Sequence, residues 1–234
     1  MLNYLRKRGF GFLLVTNTSR MSQSQIRDKL TDLGYQIDLE EIFPVSLAAV
    51  EYLSSRFGHA RCFLIGDPSL EMLLTDSGHS VVRHETPVDA VVMGQCMWPD
   101  FGEIDIARRL INDGAEPIAL HRDPTWPDGN VTRIGLGPMV AALELVISQP
   151  VTLIGKPERA FFDAALARTG FERSQTVMIG DSLSSDIAGG INAGLKSLLV
   201  RTGNSISEPI PPGCDGELPS IADLPQWCDA QLDC

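Results

Sequence analysis

The sequence lacks long apolar runs, and no stretch approaches the roughly 18 residues that a membrane-spanning helix needs. Its first 15 residues, MLNYLRKRGFGFLLV, are basic and then apolar, as in a signal peptide. The apolar part is short, however, and TNTSR follows where a small-residue cleavage site would stand. We therefore interpret the segment as a helix, a turn and a strand, and expect a cytoplasmic protein that does not bind membranes.

Cysteine is scarce, and no two cysteines form a CxxC pair. The odd count of five argues against a disulfide framework, and the spacing argues against a zinc knuckle. Reduced thiols in the core or on the surface are the simpler interpretation. The cysteines are Cys62, Cys96, Cys214, Cys228 and Cys234.

Positive charge is also scarce: the chain has 19 Lys and Arg residues and 30 Asp and Glu residues, for a net charge of −11. A chain this acidic does not neutralise a nucleic-acid backbone, so we expect no nucleic-acid partner. Any anion site must be local, made of backbone amides, a helix N-terminus or one or two placed cations. No predicted strand is followed by GxGxxG, which makes a dinucleotide-binding dehydrogenase a weak alternative.

Strand-like and helix-like segments alternate along almost the whole chain, which predicts an α/β fold with parallel sheets covered by helices. The number of strands is too large for one small sheet, so we expect two α/β units. Gly58 and Pro150 mark breaks between the predicted elements, and we use them as domain boundaries. We place one domain at 1–58 and 151–234, and a second, inserted domain at 59–150.

The individual elements follow from hydrophobic periodicity and from Gly and Pro positions. Strands are predicted at 11–17, 41–46, 61–67, 79–82, 89–94, 117–121, 151–157, 176–182 and 196–200. Helices are predicted at 21–34, 47–58, 69–78, 101–114, 138–148, 158–170 and 184–194. Segments rich in Pro and Gly are predicted as a loop at 121–137 and an irregular tail at 203–219, before a closing helix at 219–232.

Ligands of parallel sheets bind beyond the carboxyl ends of the strands, so the residues there are the first candidates for function. Thr16, Asn17, Thr18 and Ser19 follow the first strand. Hydroxyl and amide groups on such a loop can hold a phosphate without a net charge. A polar turn with a helix N-cap is the alternative interpretation.

Two further strand ends carry charged residues. Lys156 follows VTLI and can reach a bound phosphate as a point charge, although a plain surface lysine is the alternative. In GDSLSSDI, Asp181 ends a strand and Asp186 comes five residues later, which suits a hard cation such as Mg²⁺. A helix N-cap plus a solvated acid is the alternative there. Asp67 ends a similar run, FLIGD, but has Met72 five residues on, so we interpret it as a loop residue.

The order LLVTN, GKP and IGDSLSSDI resembles motifs II, III and IV of the haloacid dehalogenase (HAD) superfamily of phosphatases. The large insert between Thr16 and Lys156, with PIALHRD, GLGPMVAALE and IGKPERAFFDAAL, resembles subclass IIA, which includes nitrophenylphosphatase-like, phosphoglycolate and pyridoxal phosphate phosphatases. The similarity covers nearly the whole chain. It implies a Rossmann-like parallel-sheet core with an inserted α/β cap domain.

The resemblance also implies a function: Mg²⁺-dependent hydrolysis of a small phosphorylated metabolite through an aspartyl-phosphate. Thr16 would bind the phosphoryl group with Asn17 and Thr18, and Lys156 would balance charge. Asp181 would ligate Mg²⁺, supported by Asp186. These strand ends are expected to converge, and we expect a homodimer through the cap.

Substrate contacts are expected in the inserted domain, whose role in the family is to seal the site and select the substrate. We place them in the loop 121–133, which carries His121, Arg122 and Arg133. A solvated loop between domains is an equally good interpretation for each of these three residues.

Motif I of the family, an apolar strand followed by Asp-x-Asp-Gly, does not occur in the 234 residues. Its first Asp is the nucleophile, so this chain as written is expected to be inactive. Loss of a buried strand with five apolar side chains would cost on the order of 10 kcal/mol. We therefore expect an in-frame apolar stretch ending in Asp-x-Asp-Gly in the DNA upstream of Met1. The alternative function is a non-catalytic phosphate-binding or regulatory remnant.

Overall fold

A computed structural model describes residues 1–97, 99–203 and 207–232, with the side chains of 231 and 232 left out. Strands and helices alternate through these ranges. The strands are β1 (Leu14–Thr16), β2 (Ile42–Pro44), β3 (Arg61–Ile65), β4 (Ser80–Val82), β5 (Ala90–Met93), β6 (Glu116–Ala119), β7 (Thr125–Asp128), β8 (Val131–Ile134), β9 (Thr152–Leu153), β10 (Val177–Gly180), β11 (Lys196–Val200) and β12 (Gly216–Leu218). The helices are α1 (Leu2–Lys7), α2 (Gln23–Asp32), α3 (Val45–Phe57), α4 (Pro68–Asp76), α5 (Phe101–Asn112), α6 (Leu136–Glu144), α7 (Arg159–Thr169), α8 (Ala188–Asn192) and α9 (Leu224–Leu232).

The described chain divides into two compact units. The first unit combines Met1–Leu14 with the chain from Lys156 onwards, and the second unit is Val15–Gly155. β1 begins at Leu14, where the N-terminal segment of the first unit ends, and it pairs with β2.

The second unit is built on a five-stranded sheet in the order β4-β3-β5-β6-β9. Every neighbouring pair in it is parallel. All four residues of β5 are buried, and so are the last four of β3. Continuous burial of this kind is typical of parallel sheets that are covered on both faces. β7 and β8 form a separate antiparallel hairpin in this unit.

The first unit contains a three-stranded parallel sheet in the order β10-β11-β12. Leu198, Leu218 and Leu224 form a buried cluster, joined by the partly buried Leu5 of α1 and Trp227 of α9. β10 is an end strand, so its second edge has no partner strand among the described residues.

The predicted α/β class with parallel sheets is confirmed, and most predicted elements occur within a few residues of their expected bounds. Two predictions were wrong. The loop at 121–137 contains the β7–β8 hairpin, because Trp126 pairs with Arg133 across a turn that includes Gly129 at φ +60°. The irregular tail at 203–219 contains β12, which extends the β11 edge. Within that tail, 204–206 lie outside the described residues.

The structure groups residues 15–58 with the second unit, whereas the sequence analysis placed them in the first domain. The side chains give the reason. Tyr52 and Arg56 of α3 both donate hydrogen bonds to the Glu116 carboxylate of β6. Ser19 accepts a hydrogen bond of 2.9 Å from the backbone N–H of Gln95. The domain bounds at 58 and 150 stay a prediction.

None of the helices in the described ranges has both the length and the apolar character that crossing a bilayer requires.

Candidate functional site

The carboxylate of Asp186 folds back over the carboxyl end of β10. Its Oδ2 accepts hydrogen bonds of 3.1 Å from the backbone N–H groups of both Asp181 and Ser182. Gly180 makes this possible, because a Cβ there would lie 2.3 Å from the Asp186 side chain. The chain then continues into a π-helical turn, Leu183–Ile187, and into α8. The end of β10 is therefore a closed loop built around one buried carboxylate.

Lys156 forms an ion pair with this carboxylate. Lys156 Nζ lies 2.6 Å from Asp186 Oδ1, and the side chains are only 11% and 6% exposed. Removing one partner of such a pair leaves an uncompensated buried charge, so each residue holds the other in place. Lys156 is joined to Pro157 by a cis peptide bond. The structure thus brings together two of the predicted site residues from distant parts of the chain.

Asp181 stands immediately after β10 and is half-buried. Gly203 lies against it, since a Cβ at Gly203 would be 1.9 Å from Asp181 Oδ2. The loop at 203 can therefore hold only a residue without a side chain. Gly203 had no sequence signal that linked it to the site.

The residues at this loop fit a magnesium ion that keeps part of its water shell. Mg²⁺ in proteins is commonly held by one or two carboxylates, with waters and phosphate oxygens completing the octahedron. No group of three or more His, Cys, Asp or Glu suited to a metal ion occurs in the described ranges. Asp186 is already engaged by Lys156 and two amides. Asp181 as the direct ligand and Asp186 as its support stay a prediction.

The second unit carries the predicted hydroxyl loop. Thr16 Oγ1 donates a hydrogen bond of 2.9 Å to Thr18 Oγ1 and accepts one of 3.1 Å from the Thr18 N–H. The Thr18 hydroxyl accepts the Thr16 proton, so its own hydrogen is directed to a different acceptor. A phosphate oxygen is an acceptor of the right kind.

Asn17 is fixed by two neighbours that the sequence analysis did not identify. Its Nδ2 donates a hydrogen bond of 3.1 Å to Asp123 Oδ2. A Cβ on Gly155 would lie only 2.5 Å from Asn17 Oδ1, so Gly155 must remain glycine. Asn17 thus connects the loop after β1 with the residue that precedes Lys156 in the sequence.

The three candidates in 121–133 are engaged in separate local contacts. Arg122 forms an ion pair with Glu144 at the end of α6, and Arg133 forms one with Asp128 across the hairpin. His121 is buried, with its Nδ1 accepting a hydrogen bond of 3.2 Å from the Asp123 N–H. A role of these three residues in substrate binding stays a prediction. The meeting of Thr16–Thr18 with Lys156 and Asp181 likewise stays a prediction.

Comparison with known proteins identifies the family. The family described as haloacid dehalogenase-like hydrolase matches residues 1–80, and a related HAD-hydrolase-like family matches 153–216. An acid sugar phosphatase of Staphylococcus epidermidis is 30% identical over 209 residues, which is 89% of this chain and 80% of that protein. The chain belongs to the haloacid dehalogenase-like hydrolases.

Solved structures agree with this assignment. A thermostable NPPase of Geobacillus stearothermophilus superimposes with a TM-score of 0.86 at 28% identity, covering 94% of this chain and 88% of that one. A glycerol phosphate phosphatase of Mycobacterium tuberculosis, solved in complex with calcium, gives a TM-score of 0.79 at 31% identity. The match covers 87% of this chain and 61% of the mycobacterial protein. The predicted similarity to subclass IIA of the HAD superfamily is confirmed.

Proposed function

We propose that this HAD-like chain carries the site of a Mg²⁺-dependent phosphomonoesterase, which acts on a small phosphorylated metabolite through an aspartyl-phosphate once an aspartate nucleophile is supplied. The observation that carries the proposal is the buried Lys156–Asp186 pair at the end of β10, with Asp181 beside it. The similarity to proteins named acid sugar phosphatase and glycerol phosphate phosphatase supports it.

Each residue has a defined part in this proposal. Thr18, which accepts the Thr16 hydroxyl proton, donates its own to a phosphoryl oxygen. Thr16 would bind the phosphoryl group by turning its hydroxyl away from Thr18, and Asn17 keeps the loop in shape through Asp123. Lys156, held by Asp186, offsets the negative charge that a phosphate brings into an acidic protein.

Asp181 would hold the magnesium ion, with Asp186 fixing the loop on which Asp181 stands. When bound, the ion offsets charge on the transferring phosphoryl group. Mg²⁺ is the metal that suits oxygen ligands with part of the shell left to water and phosphate. A calcium ion in the mycobacterial relative's structure shows that a hard divalent cation binds that protein.

The reaction needs an aspartate nucleophile of the Asp-x-Asp-Gly type, which the 234 residues do not contain. We therefore propose that this chain binds phosphate without turning over phosphate esters. Within the described ranges β10 is the end strand of its sheet, and its second edge is a place where a further strand can pair. The second candidate function, a non-catalytic phosphate-binding or regulatory remnant, rests on the same absence of a nucleophile.

The test is an assay of this chain with p-nitrophenyl phosphate and Mg²⁺, combined with calorimetric titration of inorganic phosphate. We expect no turnover, and phosphate binding that weakens at least tenfold in Asp181→Asn. Turnover that is abolished by Asp181→Asn would contradict both the remnant function and the claim that the nucleophile is absent. Failure of the unchanged chain to bind phosphate would contradict the site itself.

Two further proposals concern the setting of the protein. We place it in the cytoplasm, and we propose a homodimer formed through the inserted region, which also selects the substrate. Val131 and Ile134 of β8 are 55% and 74% exposed, so the hairpin offers two apolar side chains for such a contact. Light scattering of the purified chain and of Ile134→Lys tests the dimer, and a monomer at micromolar concentration in both would contradict it.

A further inference from the structure

A histidine and an asparagine meet at one carboxylate oxygen in the second unit. His121 follows β6, Asp123 comes two residues later, and Asn17 lies in the loop after β1. Asp123 Oδ2 accepts the hydrogen bond of 3.1 Å from Asn17 Nδ2, and the same oxygen lies 3.1 Å from His121 Nδ1. The imidazole is 5% exposed and the carboxylate 35%. Through this oxygen, His121 is connected to the middle residue of the hydroxyl loop 16–18.

His121 Nδ1 has two contacts that need opposite protonation states. The Asp123 N–H lies 3.2 Å away and requires a lone pair on Nδ1, whereas Asp123 Oδ2 requires a proton there. An unprotonated Nδ1 therefore accepts the N–H, and a protonated Nδ1 donates to the carboxylate in a charge-assisted hydrogen bond, which is the stronger kind. The Asp123 carbonyl accepts a hydrogen bond of 3.0 Å from the Gly137 N–H, which holds the backbone in place. Protonation thus exchanges one contact of Nδ1 for the other.

His121 is the group of this cluster that changes charge near neutral pH. Histidine side chains titrate between about pH 5 and pH 8, where carboxylates, lysines and guanidinium groups ordinarily keep their charges. The charged side chains on the adjoining segments are engaged in ion pairs: Arg122 with Glu144, Arg20 with Asp67, Arg133 with Asp128, and Lys156 with Asp186. The other three histidines of the chain flank β3 or β4, which β5 separates from β6: His59, His79 and His84.

We propose that His121 is a positioning residue that makes phosphate binding by the hydroxyl loop depend on pH. The inference rests on the proposed function, because the phosphate is the one that Thr16 and Thr18 would bind. Neighbouring Cα atoms are about 3.8 Å apart, so the Asp123 carboxylate on Asn17 stands close to an anion on these hydroxyls and repels it. Protonation of His121 adds a positive charge at that carboxylate and reduces the repulsion. Phosphate therefore binds more tightly as the pH falls through the range in which histidine titrates.

The experiment is calorimetric titration of inorganic phosphate into the full chain with Mg²⁺ at pH 8 and pH 5, in the unchanged protein and in His121→Asn. The asparagine oxygen can still accept from the Asp123 N–H but takes up no proton. The titration of phosphate itself is common to both proteins and cancels in the ratio of their Kd values. We expect this ratio to change at least about fivefold between the two pH values, in favour of the unchanged chain at pH 5. Because such coupling is reciprocal, saturating phosphate should raise the midpoint of the His121 titration, followed by NMR, by at least about 0.7 pH unit.

His84→Asn is the matched control, because His84 is an exposed histidine that follows β4 in the same sheet. It should keep the pH dependence of the unchanged chain. Equal pH dependence in the unchanged chain and in His121→Asn overturns the proposal and leaves the phosphate site standing. A His121 midpoint that phosphate does not move overturns it as well, and this measurement needs no variant to fold. Absence of phosphate binding at both pH values contradicts the proposed function and this inference together.

Discussion

Replacing Lys156 by Met should destabilise the first unit more than any exposed charge change can. At 2.6 Å the Lys156–Asp186 pair has a Coulomb attraction of about 6 kcal/mol at an effective dielectric constant of about 20. Desolvation offsets much of this, but the single variant leaves the Asp186 carboxylate, 6% exposed, without its cation. Breaking a buried pair in this way costs about 3–5 kcal/mol of unfolding free energy.

Native-state hydrogen exchange of β10 and β11 measures that loss for the first unit alone. The matched control is Lys196→Met at the exposed start of β11, which should change the free energy by less than about 0.5 kcal/mol. The double variant Lys156→Met with Asp186→Asn carries no unpaired charge and should recover about 0.5–3 kcal/mol. Equal losses in Lys156→Met and Lys196→Met would refute the argument that the pair is a stabilising element of the site.

Two other variants test the packing and protonation of the two units. Gly180→Ala should cost about 1–3 kcal/mol in thermal unfolding, because the new Cβ would lie 2.3 Å from Asp186. Gly216→Ala, whose Cβ would meet its nearest neighbour at 3.4 Å, should be nearly neutral, and equal effects would contradict the account. Burial lowers the pKa of His79 from 6.5, so the unfolded chain takes up a proton that the folded chain does not as pH falls below about 6.5. The free energy of unfolding, measured in urea, should fall more steeply between pH 7 and pH 5 in the unchanged chain than in His79→Gln. Equal slopes in the two proteins would refute this.

The sequence predicted the strand ends well because hydrophobic periodicity and glycine positions encode them. Asp181 and Asp186 were expected after a strand, and they are there. The contacts of the Asp186 oxygens with Lys156 and with the backbone of the loop were not predictable. They depend on a π-helical turn in which the Ile187 N–H donates a hydrogen bond to the Ser182 carbonyl. Periodicity alone predicts a regular α-helix at such a segment.

The β7–β8 hairpin could have been found from the sequence. Gly129 and Asn130, which connect the two strands, form a Gly-Asn pair typical of two-residue hairpin turns, and residues typical of strands stand on both sides. Composition was given too much weight, since the high Pro, Gly and Asp content led to a loop prediction for 121–137.

The contact of Arg20 with the Trp126 ring carried no sequence signal at all. The surroundings of Gln95 could not be predicted either, because its Nε2 donates to carbonyl groups of two separate segments. Asp123 was missed for a similar reason, because its contact with Asn17 spans 106 positions of the chain.

We propose that this HAD-like chain carries the phosphate-handling residues of a phosphatase but not its nucleophile. The most direct measurement is hydrolysis of p-nitrophenyl phosphate by two proteins, the 234-residue chain and the same chain preceded by an apolar strand ending in Asp-x-Asp-Gly. We expect turnover only in the extended protein, and its loss when the first Asp of the added motif becomes Asn. Turnover by the 234-residue chain itself would contradict the claim.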